Sequence, residues 1–174
     1  YSDCTLQIRL PTVALTPNAA ECPNPVPPIR VCSLKGIPIQ LPESHPFNPL
    51  ALLRLAIAET HSGNPTRETC DRIFEFVWNR GIDVTDENEL AALRNEITLD
   101  RDPSDTAVKE QLKTNTEEAI ANRVYGVPSF HYNDKIFWGN DSLKMLEAYI
   151  DGDPWIDENW SKPDAVTIGI KRRA

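Results

Sequence analysis

Two short stretches near the end of the sequence carry residue types that could hold the head group of an amino acid. If the Val127-Pro128 peptide bond is cis, the backbone N–H and C=O of Val127 point outward, free to pair with an extended peptide. Asn140-Asp141 precedes an apolar run that predicts a helix. A helix start favours a bound carboxylate, while the Asp141 side chain would take an ammonium group. Both residues are also ordinary helix caps, so the capping and binding interpretations stay open.

A predicted strand, turn, strand and helix must position these residues. Gly126 suits the left-handed position that follows a helix. Residues 129–132 and 135–138 are aromatic-rich and flank Asn133-Asp134, a two-residue connection typical of hairpins. Trp138 is expected to fill the core beneath the next helix rather than to stack on a substrate. The sequence therefore predicts a compact ββα unit.

The same segments resemble a known family. The motifs Gly126-Val-Pro-Ser-Phe130 and Phe137-Trp-Gly-Asn-Asp-Ser-Leu143 are similar to the C-terminal half of 2-hydroxychromene-2-carboxylate isomerases. These are glutathione-dependent relatives of kappa-class glutathione transferases and of DsbA-like proteins. The resemblance extends to Gly36-Ile-Pro-Ile39 and residues 44–56, and it becomes thin upstream of residue 30. It implies an α/β fold, with a thioredoxin-like (DsbA-like) sheet, an all-helical insertion and a cis Val127-Pro128 bond.

The resemblance also implies a cofactor and a reaction. Glutathione would be the cofactor, and a small aromatic carboxylate the substrate, isomerised to trans-o-hydroxybenzylidenepyruvate during aromatic degradation. The residues implied to bind glutathione are Val127, Pro128, Trp138, Asn140, Asp141 and, as a further candidate, Asn24, with Asn18 competing for its role. The binding mode implied pairs the cysteinyl backbone with Val127 and places the γ-glutamyl group at Asn140 and Asp141.

The start of the sequence departs from the family pattern. Thr5 to Leu10 alternates loosely and stops at Pro11, which predicts a short strand resembling the family's second strand. We therefore expect the family's N-terminal strand and helix to be lacking. Those elements carry a Ser-Pro-x-x-Tyr-like motif, whose serine approaches the glutathione sulfur. No such motif occurs in residues 1–10, so the catalytic residue is unknown.

The middle of the chain predicts helices and no strands. Residues 11–49 hold ten of the fifteen prolines and are expected to be an extended loop, with short helical character from about Ile29 to Leu34. Helices are predicted over Asn48–Thr60, Pro65–Asn79 and Glu87–Ile97, and from Pro103 or Ser104 to Val124. In the second of them, Ile73, Phe74, Val77 and Trp78 are expected to face the core. We expect one thioredoxin-like domain over residues 1–174, with the helical insertion at about 48–124.

Composition bears on partners and compartment. Lys and Arg number 18 against 26 Asp and Glu, and the net charge of −8 disfavours nucleic acid and anionic membranes. The apolar runs are far shorter than the roughly 20 residues that span a bilayer, and no leader opens the chain, so we expect a cytoplasmic protein. A homodimer is left open. The four cysteines form no Cys-x-x-Cys and no metal-ligand spacing. A Cys22–Cys32 disulfide is geometrically allowed, but isolated reduced thiols are expected.

Three functional classes follow. The first is a glutathione-dependent isomerase or a kappa-type glutathione transferase. The second, a DsbA-type thiol-disulfide oxidoreductase, is disfavoured because the redox dithiol motif is absent. The third is a degenerate, non-catalytic thioredoxin-like binding protein, which the absent serine motif favours. His131 lies on a strand beside Val127-Pro128, but a surface or packed histidine explains it better than a general base.

Overall fold

The computed structural model describes residues 32–124 and 126–165. Residues 32–124 belong to one compact unit and residues 126–165 to another. The predicted strand at Thr5–Leu10, the candidates Asn18 and Asn24, and Cys22 lie outside the described residues. None of the helices in the described part combines the length and apolarity that a membrane crossing needs.

The first unit is built from helices. They are α1 (Leu50–Ala58), α2 (Arg67–Trp78), α3 (Glu87–Asn95) and α4 (Thr106–Ala121), and residues 32–34 are helical as well. Residues 48–124 are all described, and they contain these four helices and no strand. The predicted all-helical character of this stretch is therefore confirmed.

Side-chain hydrogen bonds to backbone N–H groups accompany the starts of the first three helices. The Asn48 side chain accepts a hydrogen bond from the Leu50 N–H at 3.0 Å, but the N-cap residue of α1 is Pro49 and not the predicted Asn48. At α3 the cap is Asp86, because its carboxylate accepts hydrogen bonds from the second and third helical N–H groups. Thr66, which the sequence did not single out, caps α2.

The end of α4 corrects one prediction. The left-handed residue that follows the helix is Arg123, at φ 58°, and not Gly126. The Arg123 N–H donates to the Ile120 carbonyl at 2.9 Å, and the Val124 N–H donates to the Ala119 carbonyl at 2.9 Å. These two bonds form a Schellman motif, which satisfies carbonyls that the helix leaves unpaired. The helix thus ends three residues earlier than predicted.

Two apolar clusters hold the helical unit together. One is centred on Phe76 and Leu93, both of which have 0% of their surface exposed. The other joins α1 to α4 through buried aliphatic side chains, namely Ile57, Ala58, Val108 and Leu112. The run Leu55–Ala58 in the second half of α1 is buried throughout, whereas Leu50 and Ala51 at its start are exposed.

The predicted inward position of Phe74 is wrong. Phe74 is 53% exposed, whereas Phe76 is fully buried. The buried residues of α2 are Thr69, Phe76 and Val77. At 3.6 residues per turn, Phe74 lies roughly 140° around the helix from Thr69 and so falls outside the inward stripe.

The second unit is a hairpin followed by helices. Strands β1 (Ser129–Tyr132) and β2 (Lys135–Trp138) pair antiparallel in the predicted register, with Asn133-Asp134 as the turn. Asn133 has φ 54°, which a tight hairpin turn requires. A 3₁₀ turn (Asn140–Ser142) leads into α5 (Leu143–Ile150), and α6 (Pro154–Asn159) follows. The buried side chains of the second unit include Phe137, Leu146 and Ile156.

Candidate functional site

The Val127-Pro128 segment lies at the start of the hairpin. Its peptide bond is cis, as the resemblance implied. The Gly139 N–H donates to the Pro128 carbonyl at 2.9 Å, which continues the pairing of the two strands by one step. The Val127 residue is 54% exposed. This exposed segment, the Val127–Pro128 ledge, is thus attached through Gly139 to the turn that precedes α5.

The turn at Asn140 and Asp141 does not cap α5 in the predicted way. No side chain makes a capping hydrogen bond at the start of the 3₁₀ turn or of α5. The Asp141 carboxylate instead lies over Gly139, so closely that a Cβ on Gly139 would collide with it. Gly139 also has φ 88°, a conformation that favours glycine. The capping interpretation is therefore wrong.

Asp141 is consequently available to a ligand. Its carboxylate is exposed and makes no hydrogen bond or ion pair with the residues that the structure describes. The backbone N–H groups at the start of the turn lack partners within the helix by construction. Carboxylate and N–H groups together match the two charges of an amino-acid head group.

Trp138 is not a core residue, contrary to the prediction. It is 50% exposed, whereas the neighbouring Phe137 is fully buried. Side chains alternate between the two faces of a strand, so Trp138 must lie on the face opposite to Phe137. The Trp138 backbone pairs with Ser129, the residue after Pro128. Its indole lies so close to Gly126 that a Cβ at Gly126 would collide with the ring.

Other polar groups near the ledge have partners or lie on the outside. The Ser129 hydroxyl donates to the Gly126 carbonyl at 2.7 Å, and the Ser142 hydroxyl donates to the Gly139 carbonyl at 2.8 Å. Neither proton is therefore free to stabilise an anion on a ligand. His131 is exposed on β1, in agreement with its interpretation as a surface histidine.

The structure brings most of the predicted site together. Val127, Pro128, Trp138, Asn140 and Asp141 all lie in the second unit, on the ledge, the end of β2 and the following turn. Cys32 and Cys70 are free thiols, as expected, and Cys22 lies outside the described residues. Within the described residues, no group of three or more His, Cys, Asp or Glu side chains is arranged to hold a metal ion.

The sequence interpretation missed a buried lysine in the same hairpin. Lys135 is only 6% exposed. Its ammonium lies 2.8 Å from the Asp157 carboxylate, 3.1 Å from the Tyr149 hydroxyl and 3.2 Å from the Asp134 carboxylate. It also lies 4.6 Å above the centre of the Tyr149 ring. The hydrogen bonds that the Lys135 ammonium donates, to Asp157 first and then to Tyr149, raise the pKa of Lys135 above its ordinary value. Its position two residues before Phe137 was a signal for the inward face.

Comparisons with known proteins agree with this architecture. Residues 27–151 match the DSBA-like thioredoxin domain family. A 2-hydroxychromene-2-carboxylate isomerase from Sphingobium xenophagum is 38% identical over 83 residues, which cover 44% of this chain and 42% of that protein. One of the same name from Pseudomonas putida is 30% identical over 126 residues, which cover 68% of this chain and 60% of that protein.

A solved structure is similar as well. A selenomethionine form of 2-hydroxychromene-2-carboxylate isomerase superposes with a TM-score of 0.60 at 26% identity, covering 78% of this chain and 68% of that one. The chain thus spans about half the length of the curated relatives that it matches. The predicted DsbA-like thioredoxin fold and the resemblance to these isomerases are confirmed, and the chain belongs to the DSBA-like thioredoxin domain family.

Proposed function

We propose that this protein is a glutathione-dependent isomerase whose substrate is 2-hydroxychromene-2-carboxylate or a similar small aromatic carboxylate. The observation that carries the proposal is the agreement of two independent comparisons. Curated relatives matched by sequence and a neighbour matched by structure bear the same isomerase name. The kappa-type transferase is the nearest alternative, since it would use the same cofactor.

The described residues fit glutathione. The unpartnered Asp141 carboxylate would bind the ammonium of the γ-glutamyl group, and the N–H groups of the turn would bind its α-carboxylate. The Val127 backbone would pair with the extended cysteinyl residue as an added strand. Trp138, half-exposed next to this ledge, would cover the apolar part of the bound molecules.

In this arrangement glutathione would supply the reactive group, and the protein would position it. Glutathione, when bound, supplies a thiolate that adds to the substrate, permits rotation about a bond and leaves again. The chain's own task is to hold the head group at Asp141, align the backbone at Val127 and limit the access of water at Trp138. Ser129 and Ser142 act within the protein, since each holds a loop carbonyl with its hydroxyl proton.

Calorimetric titration of glutathione into wild type and Asp141→Ala tests the cofactor assignment. A charge-assisted hydrogen bond contributes about 1.5 to 3 kcal/mol, so the variant should bind about ten- to a hundredfold more weakly. Because Asp141 caps no helix, its removal should change the free energy of unfolding by less than about 0.5 kcal/mol. Asp151→Ala, which removes another exposed carboxylate at the other end of α5, is the matched control and should bind normally.

The isomerase assay then separates the functional classes. Conversion of 2-hydroxychromene-2-carboxylate that depends on added glutathione, with a raised KM for glutathione in Asp141→Ala, supports the proposal. Glutathione binding without turnover would instead identify a binding protein. An absence of glutathione binding at millimolar concentration would refute the assignment outright.

A further inference from the structure

A groove in the helical unit has no role in the proposed function. It lies between α1 and α4, has a volume of about 270 Å³, and is lined by residues that include Leu50, Arg54, Lys109, Leu112, Lys113 and Glu117. This volume falls below the roughly 300 to 1,000 Å³ of sites for drug-sized ligands, so the groove suits a smaller molecule. We call it the α1–α4 groove.

Arg54 is the unusual residue of the groove. Its Nε atom is buried and has no hydrogen-bond partner, and its guanidinium forms no ion pair with any residue that the structure describes. Arg101 is a useful contrast: its Nε is also unpartnered, but its Nη2 donates to the Ile57 carbonyl at 2.6 Å. Arg101 thus has a structural role, whereas the Arg54 guanidinium lines a groove and has no acceptor among the residues that the structure describes.

The charges around Arg54 favour an anion. Lys109 and Lys113 line the same groove from α4, against a single carboxylate from Glu117. Glu117 lies 3.9 Å from Lys113 in a pair whose two side chains are both about two-thirds exposed, so it neutralises little of this charge. Three cations against one anion form a positive site on a chain whose net charge is −8.

The adjoining depression between α1 and α3 is less suited to an anion. Arg54 lines it too, together with Arg94 and Glu87. The Arg94 guanidinium, however, is paired with the Asp102 carboxylate at 3.0 Å. Its charge is therefore already balanced, and the excess positive charge lies on the α4 side.

Apolar surface beside these cations narrows the ligand class further. Leu50 is 38% exposed, and the mostly buried Leu112 joins the lining from α4. A planar guanidinium binds a carboxylate through two parallel hydrogen bonds, and the leucines offer contact to an apolar body. We propose that the α1–α4 groove binds a small organic carboxylate, with Arg54 as its anchor and Lys109 and Lys113 as flanking charges. The site does not depend on the glutathione assignment, since all its residues lie in the helical unit.

Three probes test the class of ligand by NMR titration of the wild-type protein. Benzoate has both the charge and the apolar ring and should shift the resonances of α1 and α4 in a saturable manner. Benzyl alcohol has the ring without the charge, and inorganic phosphate has charge without an apolar body; each should bind at least about tenfold more weakly. Phosphate binding as tight as benzoate would overturn the assignment to organic carboxylates, and benzoate that fails to bind would overturn the site.

Matched variants locate the site. Arg54→Gln should weaken benzoate binding about tenfold or more, and Arg54→Lys should weaken it less. Arg67→Gln removes the same charge from α2, where the side chain is 93% exposed, and should bind as wild type does. Lys109→Gln and Lys113→Gln, on the surface of α4, should each weaken benzoate binding about two- to fivefold. These two variants provide a test that does not alter α1. Equal affinity in Arg54→Gln and Arg67→Gln would refute the role of Arg54.

Discussion

Replacing Gly126 by alanine should disturb the candidate site through Trp138. The new methyl group would lie 2.9 Å from Cε2 and 3.1 Å from Cδ1 of the indole, and closer still to Nε1. Ordinary contacts between carbon atoms lie at about 3.5 to 4.0 Å, so the ring must move by roughly 1 Å or more. Overpacking of this kind costs about 1 to 3 kcal/mol. Because Trp138 is half-exposed, its ring can move towards solvent, so we expect a cost in the lower half of the range of about 1 to 3 kcal/mol.

A double-mutant cycle isolates this contact. Urea unfolding should show Gly126→Ala to be destabilised by about 1 to 2 kcal/mol in the wild-type background. In a Trp138→Ala background the methyl group meets no ring, and the same substitution should change stability by less than about 1 kcal/mol. The indole N–H resonance of Trp138 should shift in Gly126→Ala, while those of the other tryptophans stay in place. Equal destabilisation in both backgrounds would refute the argument that Gly126 is needed to make room for the Trp138 ring.

Three further outcomes follow from the described contacts. Phe76→Ala should lose about 3 to 5 kcal/mol of unfolding free energy, whereas Phe74→Ala should lose less than about 1 kcal/mol; similar losses in urea melts would contradict the assigned face of α2. Hydrogen bonds from Ser104 and from Arg94 lower the pKa of Asp102 from 3.8 to about 2. The ionised Asp102 therefore contributes its full stabilisation above pH 3.8, and this contribution is lost as the pH falls from 3.8 towards 2. The melting temperature of Asp102→Asn should therefore decline less over that range than that of wild type, and parallel declines would be inconsistent with this. Lys135 lowers the pKa of Asp134, and carboxylate NMR of Lys135→Met should find that pKa returned towards 3.8; an unchanged value would show that the lysine is not the cause.

Local signals in the sequence were sufficient to predict the hairpin and most helix starts. A two-residue turn fixes the register of its strands, so Asn133-Asp134 specified the pairing of Ser129 with Trp138. Asn48 and Asp86 bond to backbone groups only two or three residues away. Such contacts depend on the immediate sequence and can be recognised without knowledge of the fold.

The failures concern orientation, which depends on what lies across from each element. Phe74 and Phe76 are chemically alike, and only the direction from which α1 and α3 cover α2 decides which is buried. Arg123 takes the left-handed position although glycine lies three residues later, because the last turn of α4 closes its own hydrogen bonds there. No residue type signals either outcome in the sequence.

The candidate site was predicted through resemblance more than through chemistry. Residue types alone could not decide whether Asp141 caps a helix or contacts a ligand. The hydrogen bonds of the turn, which include no side-chain cap, excluded the capping role. Lys135 was missed because a charged side chain is rarely buried unless partners surround it. Two of those partners, Tyr149 and Asp157, lie 14 and 22 residues further along the chain.

The surroundings of Lys135 set a practical limit on how this protein can be shortened. The segment that matches the family ends at residue 151, yet Asp157 and the Trp160 ring, whose centre lies 5.8 Å from the ammonium, come after it. A truncation at the family boundary would leave the Lys135 ammonium against the Tyr149 ring, with the exposed Asp134 as its one remaining counter-ion among the described residues. It would also remove Ile156 from the apolar interior of this unit. Gene fragments for expression, and fusions at the C-terminal side, should therefore retain the chain at least through Trp160.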